Sequence, residues 1–279
     1  MIMNTWKVPL FDENNNYQKI RILRPKEAFE LIDHVDVRDE KTWKYLQDRD
    51  ITTEDVQAWL RFLLFSGCRF SEMVIVRKDP KLRLSNGTIR IPNYPGGKEM
   101  RVQKARNVLL SDMGRKHLDA FFSSAQIPAE VDESNEGTKQ VMRSLSSMLH
   151  VAGEKIGLES MTFNVKKLSR KIGEDGKRLK IRKLTKDGRE IEVYERKVAF
   201  DTITTNGCSI RSMRKSWESW LIHSFGGEKL ETQIFLSQGH TKMTSLKYYL
   251  NTGFDEDDII DIKECTKGYG VVMDHKATY

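Results

Sequence analysis

The chain has 279 residues, enough for one large domain or two small ones, and its 38% hydrophobic content can support a packed core. No apolar run approaches the roughly 20 residues that span a bilayer, and residues 1–8 lack the basic-then-apolar order of a signal peptide, so the expectation is a soluble intracellular protein. Cys68, Cys208 and Cys265 are scattered without CxxC spacing, which argues against a disulfide framework or a zinc site, and the net charge of +7 suits a polyanionic partner.

Residues 1–20 are polar and rich in Asn, and read as an extended arm. Pro25 sits where a helix tolerates its missing N–H, and Ala28, Leu31 and Ile32 supply that helix with an apolar stripe. Residues 41–47 predict a further short helix. Thr52 to Asp55 resembles a capping box and opens a strong helix with Val56, Trp59, Leu60, Leu63 and Leu64 on one face, ended by Gly67. The next helix begins at Phe70. Residues 82–110 predict β structure: Asn86-Gly87 lies between alternating runs, and residues 98–102 and 106–110 complete a small antiparallel sheet. Ser111 caps a helix expected to run through Phe122.

A long helix is expected over residues 138–157, with Met142, Leu145, Met148, Leu149, Ala152 and Ile156 as a core stripe. Residues 161–173 read as helical. Residues 179–184 and 190–199 flank Asp187-Gly188 as a hairpin dense in Lys and Arg, either a solvated ribbon or a basic finger along a phosphate backbone. Residues 209–224 form an amphipathic helix around Trp217 and Trp220, which read as core. Two more helices are expected over 228–237 and 242–250. The acidic run 255–261 precedes a tail ending at Tyr279. The fold class is α+β, mainly helical with a small antiparallel sheet. The organisation is an arm (1–20), one domain (21–254) containing the basic hairpin 176–199, and a C-terminal tail (255–279).

Three motifs carry chemistry: Ser66-Gly-Cys-Arg69-Phe-Ser-Glu72, Arg211-Ser-Met-Arg214 and Gln238-Gly-His240, with Tyr249 nine residues after His240. Arginine suits phosphate because its guanidinium is permanently charged and offers a rigid fork of donors. A tyrosine that loses its proton can attack phosphorus and store the bond as a phosphotyrosine. These residues, in this order, resemble the tyrosine recombinase (phage integrase) family over roughly residues 20–255. The first motif looks like its T-G-x-R-x-S-E box, the second its H-x-x-R box, the third its L-G-H box.

The resemblance implies a metal-free, ATP-free enzyme acting on double-stranded DNA as a tetramer, with no cofactor and no membrane, cytoplasmic and nucleoid-associated or in a virus-infected host cell. It implies Tyr249 as nucleophile, Arg69, Arg214 and Arg211 as phosphate ligands, and His240 as phosphate donor or proton acceptor. Lys98, with Lys104 as its competitor, is the general acid, and Glu72 orients Arg69. Lys104, Arg106, Lys180, Arg182, Lys183 and Lys215 are the expected DNA contacts. Arg211 stands where the family carries histidine and cannot serve as a neutral base near pH 7. Gln238 replaces Leu and reads as neutral. Little chain precedes Arg24 to form the helical domain that family members carry in front, so the expectation is a fragment or a minimal enzyme. Two further readings stand open: a type IB topoisomerase-like enzyme, and a non-catalytic DNA-binding protein of the same fold. The segment after Asp255, with Ile259, Ile260 and Ile262 and then Val271 to Met273, is expected either to dock on a neighbouring subunit or to fold back in cis.

Overall fold

The computed structural model describes residues 9–11, 19–38, 43–96, 101–174, 176–184, 188–225, 231–239 and 253–270. Strand β1 (Leu10–Phe11) pairs antiparallel with β2 (Arg21–Ile22). Helix α1 (Pro25–Asp33) follows, with Pro at its start and the Glu27 carboxylate accepting from the Arg24 amide at 3.1 Å. The short helix α2 (Lys44–Gln47) precedes α3 (Thr53–Ser66). The expected capping box forms at α3: Thr52 Oγ1 accepts from the Asp55 amide at 3.1 Å, and Asp55 Oδ2 accepts from the Thr52 amide at 3.0 Å.

Helix α4 (Phe70–Lys78) leads into four short strands, β3 (Ile89–Ile91), β4 (Tyr94–Gly96), β5 (Arg101–Gln103) and β6 (Arg106–Val108). β3 pairs with β6 and β4 with β5, so the chain runs out and back as a nested antiparallel ribbon. The helix expected from Ser111 to Phe122 is two short ones, α5 (Asp112–Lys116) and α6 (Leu118–Ser123), with His117 between them. Helix α7 (Glu136–Lys155) buries Leu145, Met148, Leu149 and Ala152 of the predicted stripe, leaves Met142 and Ile156 only partly buried, and buries Val141 as well.

The largest departure comes next. Residues 161–170 are a strand, β7 (Met161–Arg170), not a helix. It pairs along ten residues with β10 (Arg196–Thr205), while β8 (Lys180–Leu184) and β9 (Glu190–Tyr194) extend the same arm. The expected hairpin around Gly188 is therefore the outer part of a longer structure. Amide-to-carbonyl bonds from Lys171 to Glu195 and from Glu195 to Leu179, both 2.8 Å, join the two ladders. Among the described residues, nine of the eleven exposed large apolar side chains lie on this arm, Phe200 at 78%, so the arm stands outside the core. Its root is fixed: buried Asn206 donates to the His150 carbonyl at 2.8 Å, and Phe163 meets Phe11 edge-on at 5.1 Å.

Helix α8 (Ile210–Phe225) crosses the core, followed by α9 (Glu231–Gln238) and, after residues outside the described set, α10 (Glu256–Thr266). The core is built on α3 against α8. Trp59, Leu60, Leu63, Leu64 and Phe65 meet Met213, Trp217, Trp220 and Leu221, all buried. Trp217 packs edge-on against Phe65 (5.6 Å) and Trp220 (6.2 Å). The Trp220 indole donates to the Leu23 carbonyl at 2.9 Å.

The acidic run begins α10, which is capped by Asp255 and packs on α1, α5 and α8 of its own chain. Ile262 is buried there, Ile260 faces outward at 65% exposure, and Asp258 pairs with Arg24 at 2.9 Å. Val271 to Met273 lie outside the described residues. No helix among the described residues is long and apolar enough to cross a membrane.

Trp217 contributes the central apolar volume of this core. Truncation of a buried tryptophan costs roughly 3–5 kcal/mol. Trp217→Ala is expected to lower unfolding stability by that amount in urea titration, and a loss below about 1 kcal/mol would contradict the central packing.

Candidate active site

The site begins where α3 stops. Gly67 has φ of +61°, the left-handed region that favours glycine. A Cβ there would meet the Gln238 side-chain amide and the Trp217 ring. The reversal carries the chain through buried Cys68 to Arg69, the extended N-cap of α4. Burial pushes the Cys68 thiol up to about 11, with the Glu72 charge adding to the effect, so it stays protonated at neutral pH.

One turn on, the Glu72 side chain is completely buried. Its Oε1 accepts from Arg106 Nη1 (2.6 Å), Tyr94 Oη (2.8 Å) and Arg69 Nη1 (3.0 Å). Its Oε2 accepts from Arg106 Nη2 (2.6 Å) and the Arg69 amide (2.7 Å). Burial alone would raise this carboxyl. The Arg106 hydrogen bonds and charge, with Arg69 and Arg214, outweigh burial and bring it down to about 2. Burial and the adjacent carboxylate push the Tyr94 phenol up to about 12, so Tyr94 is a neutral donor. Burial opposes the charge on Arg106, and its bonds to Glu72 more than restore it.

The opposite wall comes from α8 and the end of α9. The Arg214 guanidinium donates to the Gly67 carbonyl, donates to the Gln238 carbonyl at 2.6 Å, and pairs with Glu218 at 3.1 Å. Gln238 is buried and donates to the Ser66 carbonyl at 3.2 Å. It is therefore a tie between the end of α9 and the end of α3, a role that reading it as neutral missed. Between these walls opens a cavity of about 310 Å³. Arg69, Arg211, Arg214 and Lys215 line it together with Leu63, Phe70, Met142 and Ile210, and with Cys68 and Glu133. Four cations beside an apolar floor outnumber the single carboxylate of Glu133, an arrangement that can receive an anionic group. Among the described residues no three His, Cys, Asp or Glu side chains are grouped to hold a metal ion.

The structure thus brings Arg69, Arg211, Arg214 and Lys215 around one cavity, with Glu72 behind Arg69. Arg211 is exposed, Lys215 half-buried. Lys98, His240 and Tyr249 lie outside the described residues. Lys104 is exposed between β5 and β6. Arg106, grouped by sequence with the DNA contacts, has a side chain only 10% exposed and turned onto Glu72. Its neighbour by strand periodicity, Val108, is fully buried, and that period-two pattern was the sequence signal for an inward Arg106. Lys180, Arg182 and Lys183 are exposed on β8. Lys180 pairs with Glu192 at 3.2 Å and Arg182 with Glu190 at 3.7 Å. The arm, residues 161–205, carries 13 Lys and Arg against 7 Asp and Glu. The remainder carries 34 against 33, so almost the whole net charge of the chain sits on the arm.

Fold and site together define an α+β protein with an arginine-lined cavity and a basic β arm. No protein-family model matches the chain, and no curated protein matches it. Among solved structures it is similar to the Tn1549 transposon integrase (residues 82–397) in complex with circular intermediate DNA, at 11% identity and a TM-score of 0.43. The alignment covers 88% of this chain and 64% of that one, so the chain spans about 64% of that relative's length.

The Glu72 cluster generates a pH test. Removing one partner of a buried ion pair costs roughly 3–5 kcal/mol, and Glu72→Gln is expected to destabilise the fold by that order at pH 7. The carboxyl's folded value of about 2 lies below its ordinary 4.5. Its contribution is therefore complete above about pH 4.5 and is lost as pH falls towards 2. In urea unfolding the gap between wild type and Glu72→Gln should narrow on acidification below pH 4.5. A gap independent of pH would rule the charge out as its source.

Proposed function

We propose that the chain is a DNA strand-breaking and rejoining enzyme, a site-specific recombinase working through a phosphotyrosine intermediate. The observation that carries the reading is the cavity lined by Arg69, Arg211, Arg214 and Lys215. The three arginines are those of the two boxes that resemble the tyrosine recombinase family, Lys215 directly follows the second box, and 142 residues of sequence separate Arg69 from Arg211.

In this reading the scissile phosphodiester enters the cavity, and the cations balance its non-bridging oxygens and the charge that grows in the transition state. The phenolate of Tyr249 forms a bond to phosphorus as the bond to the 5′ oxygen breaks. Lys98, or Lys104, protonates the departing oxygen, and His240 accepts the phenolic proton. The product is a 3′-phosphotyrosyl link and a free 5′-hydroxyl. Attack by a partner strand's 5′-hydroxyl reverses each step, so the bond energy is conserved without ATP. Exchange between two duplexes calls for a tetramer on DNA. The roles of Lys98, His240 and Tyr249 rest on the family resemblance alone.

The arm supplies the second contact. A two-stranded ribbon with an excess of six positive charges matches the polyanionic backbone of a duplex. The acids opposite Lys180 and Arg182 are no obstacle, since exposed ion pairs contribute only about 0–1 kcal/mol and exchange readily for phosphate.

Two measurements test the reading. On a nicked duplex that traps the cleaved state, wild type is expected to form a covalent protein–DNA adduct, and Tyr249→Phe to form none while retaining DNA affinity. Binding without adduct by wild type would instead mark a non-catalytic binder. Adduct formation and supercoil relaxation by a monomer, with no requirement for paired sites, would mark a topoisomerase. For the arm, replacing Lys180, Arg182 and Lys183 by Ala should lower the slope of log affinity against log salt by roughly two to three units, read by fluorescence anisotropy. An unchanged slope would remove the arm from the interface.

A further inference from the structure

We propose that Arg106 is a positioning residue for strand cleavage: from behind the cavity it sets Arg69 through Glu72 and holds the end of α9 through the Ser237 carbonyl. The inference rests on the strand-exchange reading, because cleavage is the activity it tunes.

Three charge-assisted bonds define the role. Arg106 forks onto both Glu72 oxygens at 2.6 Å, and its Nε donates to the Ser237 carbonyl at 2.8 Å. To meet a phosphate it would have to break these bonds and leave the buried Glu72 carboxylate short of donors, so it is a support and not a DNA contact. Along one line the fork fixes Glu72, whose oxygens then hold the Arg69 side chain and amide. Along the other, Ser237 is followed by Gln238, whose carbonyl accepts from Arg214. One guanidinium therefore connects both arginine walls of the cavity.

Gly239 makes room for it. A Cβ there would stand 3.1 Å from Arg106 Nε, and its φ of +67° again favours glycine. The next residue in the chain is His240, and Tyr249 follows ten residues after Gly239. The clamp thus lies where the described chain hands over to the segment that bears the proposed nucleophile. Lysine could not replace it, since a point charge cannot fork onto two oxygens and reach a third.

Among the described residues, the charged and titratable groups around the Glu72 carboxylate are Arg106 from β6, Tyr94 from β4, Arg69 and Cys68 ahead of α4, and Arg214 from α8. Without the fork, burial is opposed chiefly by Arg69, so Glu72 takes up a proton at higher pH and releases Arg69.

The test compares wild type with Arg106→Lys on the trapping duplex at saturating DNA, as single-turnover adduct formation from pH 4.5 to 8. Misplacement of a reacting group by about 1 Å can cost 10²-fold, and a loss near that size is expected, with an acid limb inside this range where Glu72 gives wild type none. Affinity should stay within about twofold and the salt slope unchanged. A wild-type rate and pH profile would overturn the proposal. So would a loss that appears as weaker binding with the slope reduced by about 0.9, the mark of a direct phosphate contact. If Arg106→Lys does not fold, Tyr94→Phe removes one donor from the same carboxylate. It must bring an acid limb into the same range, and a profile without one overturns the proposal. Absence of adduct in wild type overturns the strand-exchange reading and this inference with it. Adduct in wild type with an unaffected variant overturns the inference alone.

Discussion

A buried carboxylate cannot be left half-satisfied, and Glu72 receives five donor contacts. That requirement draws together the start of α4, strand β4 and strand β6, which are 3, 22 and 34 residues away in sequence. Removing any one of them leaves the buried carboxylate with fewer donors. The small sheet is therefore bound to the helical body by charge as much as by its apolar residues Ile89, Ile91 and Val108. The cavity arginine is a consequence: Arg69 points where it does because its amide and one Nη are both committed to the same carboxylate.

The second wall follows a different logic. Arg214 is anchored largely by carbonyl oxygens, at the end of α3 and at the end of α9. Carbonyls at helix C-termini carry the negative end of the helix dipole, so two helix ends converge on one guanidinium. Gly67 permits the convergence, because any larger residue would drive Gln238 and Trp217 away. Both walls are thus held by contacts within the chain itself.

Local signals in the sequence were reliable. The capping box at Thr52, the stop at Gly67 and the stripe of α7 were legible because each depends on neighbours within a turn or two. The two arginine boxes were legible as motifs, and the cavity gathers them. Arg106 was not, since its charge suggested a surface ligand while its strand period pointed inward. β7 was misread as helical although Met161, Phe163 and Val165 alternate, because its partner β10 begins 26 residues after β7 ends and nothing local announces the pairing. The break at His117 was equally silent. The cis packing of α10 depends on Asp258 finding Arg24, 234 residues distant, a contact no local pattern encodes.

The arm has an electrical consequence of its own. Ten paired residues at about 3.4 Å each carry the β7–β10 ladder roughly 34 Å along its length, while salt at cellular strength screens charge over about 8 Å. The body that holds the cavity is close to neutral, with 34 basic against 33 acidic residues. The molecule is thus a body of nearly balanced charge with a positively charged lever. In the field of a distant polyanion such a body feels little net pull on its bulk and a strong torque on its arm. It would turn before it docks, and the protonation states around Glu72 would not register the charges further out along the ribbon.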